Sequence, residues 1–320
     1  MRAIAIVSVL TACGGARPAS VANEATRDPQ HCAHGTAELT SLAGQRRTAI
    51  AKSSIDQRAR EVAQSLAGDD TCRDAVAAFA SQIAQRKHAA WAAAKKASDF
   101  AAADDSYRLE LMAQPDAPTA ARDELYLADM WYARAEAEQG DAAVTSYRTA
   151  AIVFDSVVAR GKLAAADLTE AAYAAVLARK AIWEADPEHD ARADDSNLRF
   201  AVAVPLPEHA ADLVAAFHAY AGTLRGESSP ELVAMTYLEA VLELRFHHVD
   251  DAIDKLRSLV SEQPDTDVAA NAALLLFDAF TRAERFDDRA ALAAELAPKR
   301  SWLDANPELE TVVDAIVGRR

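Results

Sequence analysis

Apolar side chains recur at three- and four-residue spacing almost without interruption from residue 36 to the end of the chain. Such spacing places them on one face of an α-helix, where they can pack against a neighbour. No stretch has the alternating Val, Thr and Tyr pattern, bounded by turn residues, that is typical of a strand. The pattern therefore predicts an all-α fold.

Short breakers rich in Gly, Pro and Asp divide this pattern into segments of the length typical of paired helices. They lie at Gly68, Gln114 to Pro118, Gly140, Gly161, Pro187, Pro205 to Pro207, Pro230, Pro264 and Pro307. One segment stands out, because the sequence predicts a single long helix over 72–105.

Two segments share a pattern in which a small residue is followed four positions later by a bulky one. The first has Tyr147, Ala150, Phe154 and Val157, and the second has Val249, Ala252, Leu256 and Leu259, followed by Pro264. The pattern resembles the second helix of a tetratricopeptide repeat (TPR), in which the small residue permits close approach of two helices.

Candidate first helices precede both segments, at Ala121–Glu138 and Glu231–Phe246. A third unit follows at Val268–Phe280 and Arg285–Leu296, and Leu168–Trp183 has the pattern of another first helix. The resemblance implies TPR-like helix-turn-helix repeats, an α-solenoid, preceded by an N-terminal helical segment, with a concave surface that binds proteins or peptides. A non-repeating helical bundle is the alternative.

These patterns give a domain plan. It comprises a lipoprotein signal peptide at 1–12, a flexible tether at 13–31, an N-terminal helical segment at 32–118, TPR-like repeats at 119–185, an acidic linker at 186–204 and C-terminal TPR-like repeats at 205–320. The linker is placed where acids and a proline interrupt the apolar pattern.

The N-terminus has a positive charge at Arg2, an apolar run from Ala3 to Leu10, and the tetrapeptide Leu-Thr-Ala-Cys ending at Cys13. This tetrapeptide resembles a bacterial lipobox, which implies cleavage before Cys13 and lipid attachment to its sulfur. Gly14 in place of an aspartate favours the outer membrane. The alternatives are an ordinary signal peptide and a cytosolic strand that ends in cysteine.

If Cys13 carries lipid, Cys32 and Cys72 remain as a possible disulfide in an oxidising compartment. One unbroken helix would hold them too far apart, so the bridge requires a chain reversal, for which Lys52 to Ser54 is a suitable place. Thr71 has the residue type of a helix N-cap, which would put Cys72 in the first turn. Two inert thiols are the alternative.

Composition and motifs exclude several functions. The chain is 51% hydrophobic but only 6% aromatic, and its net charge of -15 repels nucleic acid. After residue 12 no apolar run is long enough to span a bilayer. No nucleophile, dinucleotide, phosphate-loop or zinc-protease motif occurs, so we expect no enzyme, no cofactor and no metal. His247, His248, Asp250 and Asp251 fit an inter-helix turn better than a metal site.

Helical spacing nominates Thr236, Glu239, Glu243 and Phe246 as residues that bind a partner from the concave face of the best repeat. The sequence as a whole predicts a membrane-anchored scaffold or adaptor of the bacterial envelope. A helical envelope enzyme or a solute-binding lipoprotein is the alternative. Its partners would be envelope proteins or peptides, and the membrane through the lipid.

Overall fold

The computed structural model describes residues 29–48, 52–66, 72–189, 198–263 and 266–318. Fourteen α-helices and two short 3₁₀ helices account for the regular structure of these residues, and none of them belongs to a strand. The prediction of an all-α fold is confirmed. The predicted signal peptide, tether and Cys13 lie outside the described residues. The chain forms two compact units, which divide between Gln114 and Pro115.

The first unit contains α1 (Pro29–Thr48), α2 (Lys52–Leu66), α3 (Arg73–Ala94) and α4 (Ala97–Ala113). Each helix packs against the next, and α1 also contacts α3. The break between α1 and α2 confirms the predicted chain reversal. Gly35 brings α1 close to α2, because a Cβ atom there would lie 2.5 Å from Leu66 Cδ1.

The prediction of a single long helix over 72–105 is wrong. The chain turns at Lys95 and Lys96, and α3 packs against α4. Lys95 adopts a left-handed conformation (φ 52°) and its N–H donates to the Trp91 carbonyl. Its ammonium lies 4.1 Å from the Trp91 ring centroid, and Trp91 packs edge-on against Phe100 at 5.4 Å. A lysine gives no sequence signal for a left-handed residue, which is usually glycine.

The second unit begins with three long helices, α5 (Ala120–Ala135), α6 (Gly140–Arg160) and α7 (Ala165–Glu184). They are followed by α8 (Glu208–Thr223), α9 (Pro230–Arg245), α10 (Val249–Glu262), α11 (Asp267–Arg282), α12 (Phe286–Leu296), α13 (Arg300–Ala305) and α14 (Pro307–Val317). From α5 to α12 each helix packs against the next, and α9 also packs against α11. Contacts confined mainly to near neighbours are typical of an α-solenoid.

The α9–α10 and α11–α12 hairpins repeat the same turn. His247 and Glu284 both have left-handed backbones, with φ of 65° and 54°. In each turn the next N–H reaches back over the helix end: His248 N donates to Glu243 O and Arg285 N donates to Phe280 O, both at 2.8 Å. Two hairpins with one turn geometry confirm the prediction of TPR-like repeats.

The shared small-bulky pattern lies in the core of both repeats. Ala150 and Phe154 of α6 are buried, as are Ala252 and Leu256 of α10. The alanines leave room for the adjacent helix and the larger side chains fill the space between helices. The predicted role of these positions is confirmed, while Pro264 lies outside the described residues.

The described part of the predicted acidic linker is packed onto the second unit. Leu198 is buried in the core around α10 to α12. The Val204 N–H donates to the Phe246 carbonyl at 2.9 Å, and Arg245 Nη1 donates to the His189 carbonyl at 2.6 Å.

Among the described residues, none of the helices combines the length and apolar composition needed for a membrane span.

Candidate functional site

Helices α5 and α7 lie side by side and run in the same direction. Near their first turns Arg122 Nη2 and Asp167 Oδ2 form an ion pair at 2.6 Å. Further along both helices, Asp129 and Glu170 are close enough to interact electrostatically. The same order along both helices means that α6 connects two parallel helices, as the second helix of a repeat does.

Asp129 lies at the seam between these two helices. Solvent reaches its side chain, yet burial by surrounding protein and the nearby charge of Glu170 raise the pKa of Asp129 to about 6, against an opposing effect of Arg122. Two carboxylates from different helices, Asp129 and Glu170, thus lie near each other at the seam, and their proximity disfavours ionisation of Asp129.

Four tyrosines from four successive helices form two pairs beside this seam, and three of them are partly exposed while Tyr220 is buried. Tyr147 of α6 packs edge-on against Tyr132 of α5 with ring centroids 5.4 Å apart, and Tyr173 of α7 lies 5.6 Å from Tyr220 of α8. Burial raises the pKa of Tyr132, and Tyr147, Glu136 and Tyr173 add to this effect. Tyr132 and Tyr173, which belong to different pairs, are therefore close enough to interact electrostatically. We call these four rings, with Asp129, Glu136 and Glu170, the tyrosine face.

A cavity of about 630 Å³ adjoins the tyrosine face and is open to solvent on one side. Tyr173 and Tyr220 form part of its wall. The ionisable groups that line it are Glu170, Arg225, Glu227 and Glu231. The volume lies within the range of about 300 to 1,000 Å³ that is usual for ligand pockets.

The local sequence explains why these side chains share one surface. Asp129 and Tyr132 of α5 and Glu136, the C-cap residue of α5, follow one another at three- and four-residue spacing, which keeps them on one side of the helix. On α7, Glu170 and Tyr173 are three residues apart. The buried residues of α7 between and after them are mostly alanines, which permit close packing of neighbouring helices.

The structure places Glu239 and Glu243, which were predicted to bind a partner, inside an ionic network. Glu239 is only 6% exposed to solvent, and Glu243 is only 9% exposed. Lys255 Nζ lies 2.6 Å from Glu243 Oε1 and 3.5 Å from Glu239 Oε1, and His218 Nε2 lies 3.0 Å from Glu239 Oε1. Burial raises the pKa of Glu243, although Lys255 opposes this effect. These contacts hold α8, α9 and α10 together.

Thr236 and Phe246, the other two predicted partner-binding residues, are half-buried. Thr236 Oγ1 donates to the Leu232 carbonyl one turn earlier at 2.9 Å. Phe246 packs against the core that contains Leu213 and Leu242. Partner binding by Thr236 and Phe246, as by the two glutamates, stays a prediction.

His247 and His248 lie in the turn between α9 and α10, as the sequence predicted. His248 Nε2 lies 2.8 Å from the Val204 carbonyl, so this ring is engaged with the segment that precedes α8. Asp250 lies in the first turn of α10 and accepts a hydrogen bond from Arg285 Nη1 at 2.8 Å. These contacts are structural ones between neighbouring repeats.

Cys32 and Cys72 belong to the same core of the first unit. Cys72 is fully buried and Cys32 packs against that cluster from α1. Cys72 occupies the N-cap position of α3 rather than its first turn, which corrects the predicted start by one residue. Thr71 lies outside the described residues, and the disulfide stays a prediction.

No protein-family model matches the chain, and no curated protein matches it. Among solved structures, the chain is similar to "Assembly Chaperone of RpL4 (Acl4) (Residues 1-338)" at 11% identity, over 89% of this chain and 96% of that chain, with a TM-score of 0.30. A TM-score this low supports no transfer of function, so the functional inference depends on the tyrosine face.

Proposed function

We propose that this protein is a helical-repeat adaptor that binds a segment of another protein on the tyrosine face. The observation that carries the proposal is the set of partly exposed tyrosines on three successive helices, Tyr132, Tyr147 and Tyr173, beside an open cavity. Aromatic side chains supply large contact areas with few rotatable bonds, and they are common at the centres of protein interfaces.

The packing of the second unit supports the same proposal. Each ring of the tyrosine face comes from a different helix, so the surface exists only when the repeat stack is folded. Tyr132, Tyr147 and Tyr173 are half-buried, which fixes their orientation and still leaves part of each ring accessible. Such rings lose little side-chain entropy when a partner covers them.

The proposal is tested by selecting binders from a random peptide library on the folded full chain. We expect selected peptides to bind the wild type and to bind a Tyr132→Leu/Tyr173→Leu variant much more weakly. Leucine keeps apolar volume for packing, and circular dichroism checks that both variants remain folded. Phe286→Ala is the matched control, because Phe286 is an aromatic residue of the same unit that is 56% exposed.

Two results would contradict the proposal. One is that no peptide is enriched. The other is that enriched peptides bind equally to the wild type and to the leucine variant, which would place their site elsewhere. A library that selects only peptides sensitive to Phe286→Ala would also move the site away from the tyrosine face.

We further propose that lipid on Cys13 tethers the adaptor to a membrane of the bacterial envelope, with the outer membrane favoured by Gly14. The support is the sequence Leu-Thr-Ala-Cys after an apolar run and a single positive charge. Two or more acyl chains hold a protein durably at a bilayer, since each buried methylene contributes about 0.8 kcal/mol. The partner would then be another protein of the same compartment.

Metabolic labelling with an alkyne analogue of palmitate tests the anchor. We expect label on the wild-type chain in a bacterial host and none on Cys13→Ser. Cys32→Ser is the control and should label like the wild type. Label that persists in Cys13→Ser, or is absent from the wild type, would contradict the anchor and leave the adaptor proposal unaffected.

A further inference from the structure

We propose that the segment bound by the tyrosine face is cationic, with lysine or arginine side chains placed over the tyrosine rings and beside Asp129, Glu136 and Glu170. This inference rests on the proposed adaptor function and specifies the chemistry of its partner. Three features of the described residues carry it: carboxylates that take part in no salt bridge, partly exposed tyrosines beside them, and a cavity lined by both Glu170 and Tyr173.

The first feature is the absence of counter-ions. Within the part of the chain that the structure describes, no salt bridge involves Asp129, Glu136 or Glu170. Arg122, the cation that acts on Asp129, forms its ion pair with Asp167 instead. The opposite arrangement occurs at Glu239 and Glu243, where Lys255 compensates both buried carboxylates, so the chain does supply a cation where a structural network requires one.

The second feature is the aromatic surface next to these charges. A cation within about 6 Å of a tyrosine ring centroid is attracted by the negative ring face. The protein uses this interaction internally, since Arg257 lies 5.3 Å from the Phe280 ring centroid. On the tyrosine face the rings of Tyr132, Tyr147 and Tyr173 are accessible in part, and no cation–π contact of the described residues covers them.

The third feature is the extent of the site, which exceeds what a single small cation would fill. The partly exposed tyrosines lie on three helices, and the cavity of about 630 Å³ extends from Tyr173 toward Glu227 and Glu231. An extended peptide places successive side chains about 3.3 Å apart along its axis and can therefore occupy several of these positions together. Arg225 is the cationic residue of the cavity wall and would select for spacing between the partner's charges.

The overall charge favours the same partner. At a formal charge of -15 the protein attracts positively charged chains over several ångströms and repels anionic ones. Long-range attraction alone would act on every acidic surface equally. Local recognition at the tyrosine face must therefore be separated from it by matched variants.

The test is fluorescence anisotropy of the full chain with a labelled peptide that carries several lysines, and with the same peptide after acetylation of every lysine. We expect the lysine peptide to bind at low salt and the acetylated peptide to bind at least about tenfold more weakly, because acetylation removes charge and the cation–π contact. The Asp129→Asn/Glu170→Gln variant should weaken binding of the lysine peptide about five- to tenfold.

The matched control is Asp254→Asn/Glu295→Gln, which removes the same charge from two exposed positions of the second unit. It should change binding by less than about twofold, since the field of distant exposed charges is screened. Equal weakening by both variants would show general attraction and overturn the inference, as would equal binding of the acetylated peptide.

The aromatic part of the inference has its own variants. Tyr173→Phe keeps the ring and should bind the lysine peptide like the wild type, whereas Tyr173→Leu should lose binding. If the peptide library yields neutral or acidic peptides that depend on Tyr132 and Tyr173, the adaptor function stands and the cationic partner is wrong. If no peptide depends on these rings, both are wrong.

Discussion

Lys255→Met should destabilise the second unit strongly at neutral pH. Lys255 lies 2.6 Å from Glu243 and 3.5 Å from Glu239, and the carboxylates belong to residues that are only 9% and 6% exposed. Removal of one partner from a buried ion pair costs about 3 to 5 kcal/mol. Because the Lys255 side chain is 28% exposed, solvent screens part of the electrostatic interaction. We therefore expect the free energy of unfolding to fall by about 2 to 3 kcal/mol.

The pH dependence identifies the cause. Burial already raises the pKa of Glu243 and Lys255 opposes the rise, so the variant should raise this pKa further. A carboxyl whose pKa is higher in the folded than in the unfolded state favours folding while it is protonated, and this contribution is lost as pH rises through the folded pKa. The deficit of Lys255→Met should therefore shrink as pH falls from neutral into the acid range.

Urea unfolding followed by circular dichroism at neutral and acidic pH measures both effects. Addition of Glu239→Gln and Glu243→Gln to Lys255→Met should recover most of the loss, because no uncompensated buried charge remains. Lys180→Met is the control, since Lys180 pairs with Glu184 on an exposed surface, and it should cost less than about 1 kcal/mol. A Lys255→Met variant as stable as Lys180→Met, or a deficit independent of pH, would refute the buried network.

Other predictions concern the core, the seam and the cysteines. Phe154→Ala should lower the free energy of unfolding by about 3 to 5 kcal/mol, because Phe154 is 1% exposed. Ile152 is 62% exposed, so Ile152→Ala should stay within about 0.5 kcal/mol of the wild type in the same urea titration. The Asp129 carboxyl should titrate near pH 6 by NMR. Relative to Asp129→Asn, the wild type should lose stability as pH rises from about 4 to 6, by less than about 1 kcal/mol because solvent reaches the group; a titration near pH 4 would contradict the crowded seam. Peptide mapping without reductant should find Cys32 linked to Cys72, and alkylation of both thiols in the oxidised native protein would disprove the bridge.

Helical periodicity predicted most of the fold because each helix buries a stripe of its own residues. The patterns at Ala121–Glu138, Glu231–Phe246 and Val268–Phe280 correspond to α5, α9 and α11 within a few residues. The hairpin of α3 and α4 was missed because its turn depends on Lys95 in a left-handed conformation. Contacts of Trp91 stabilise this turn, and they are visible only in three dimensions.

The candidate site was harder to predict because it depends on contacts between helices. Glu239 and Glu243 have the spacing of an exposed stripe, yet Lys255 from the next helix closes over them. The tyrosine face contains residues far apart in sequence. A partial signal was present in Asp129, Tyr132 and Glu136, which share one side of a predicted first helix.

Binding of a partner segment on the tyrosine face can be observed at individual rings by ¹⁹F NMR of the chain labelled with fluorotyrosine. The chain has 7 tyrosines, so each signal can be assigned by a Tyr→Phe substitution. On addition of the lysine peptide, we expect shifts at Tyr132 and Tyr173 and none at Tyr107, which is buried in the first unit. Unchanged signals at Tyr132 and Tyr173 while the peptide is bound would contradict it.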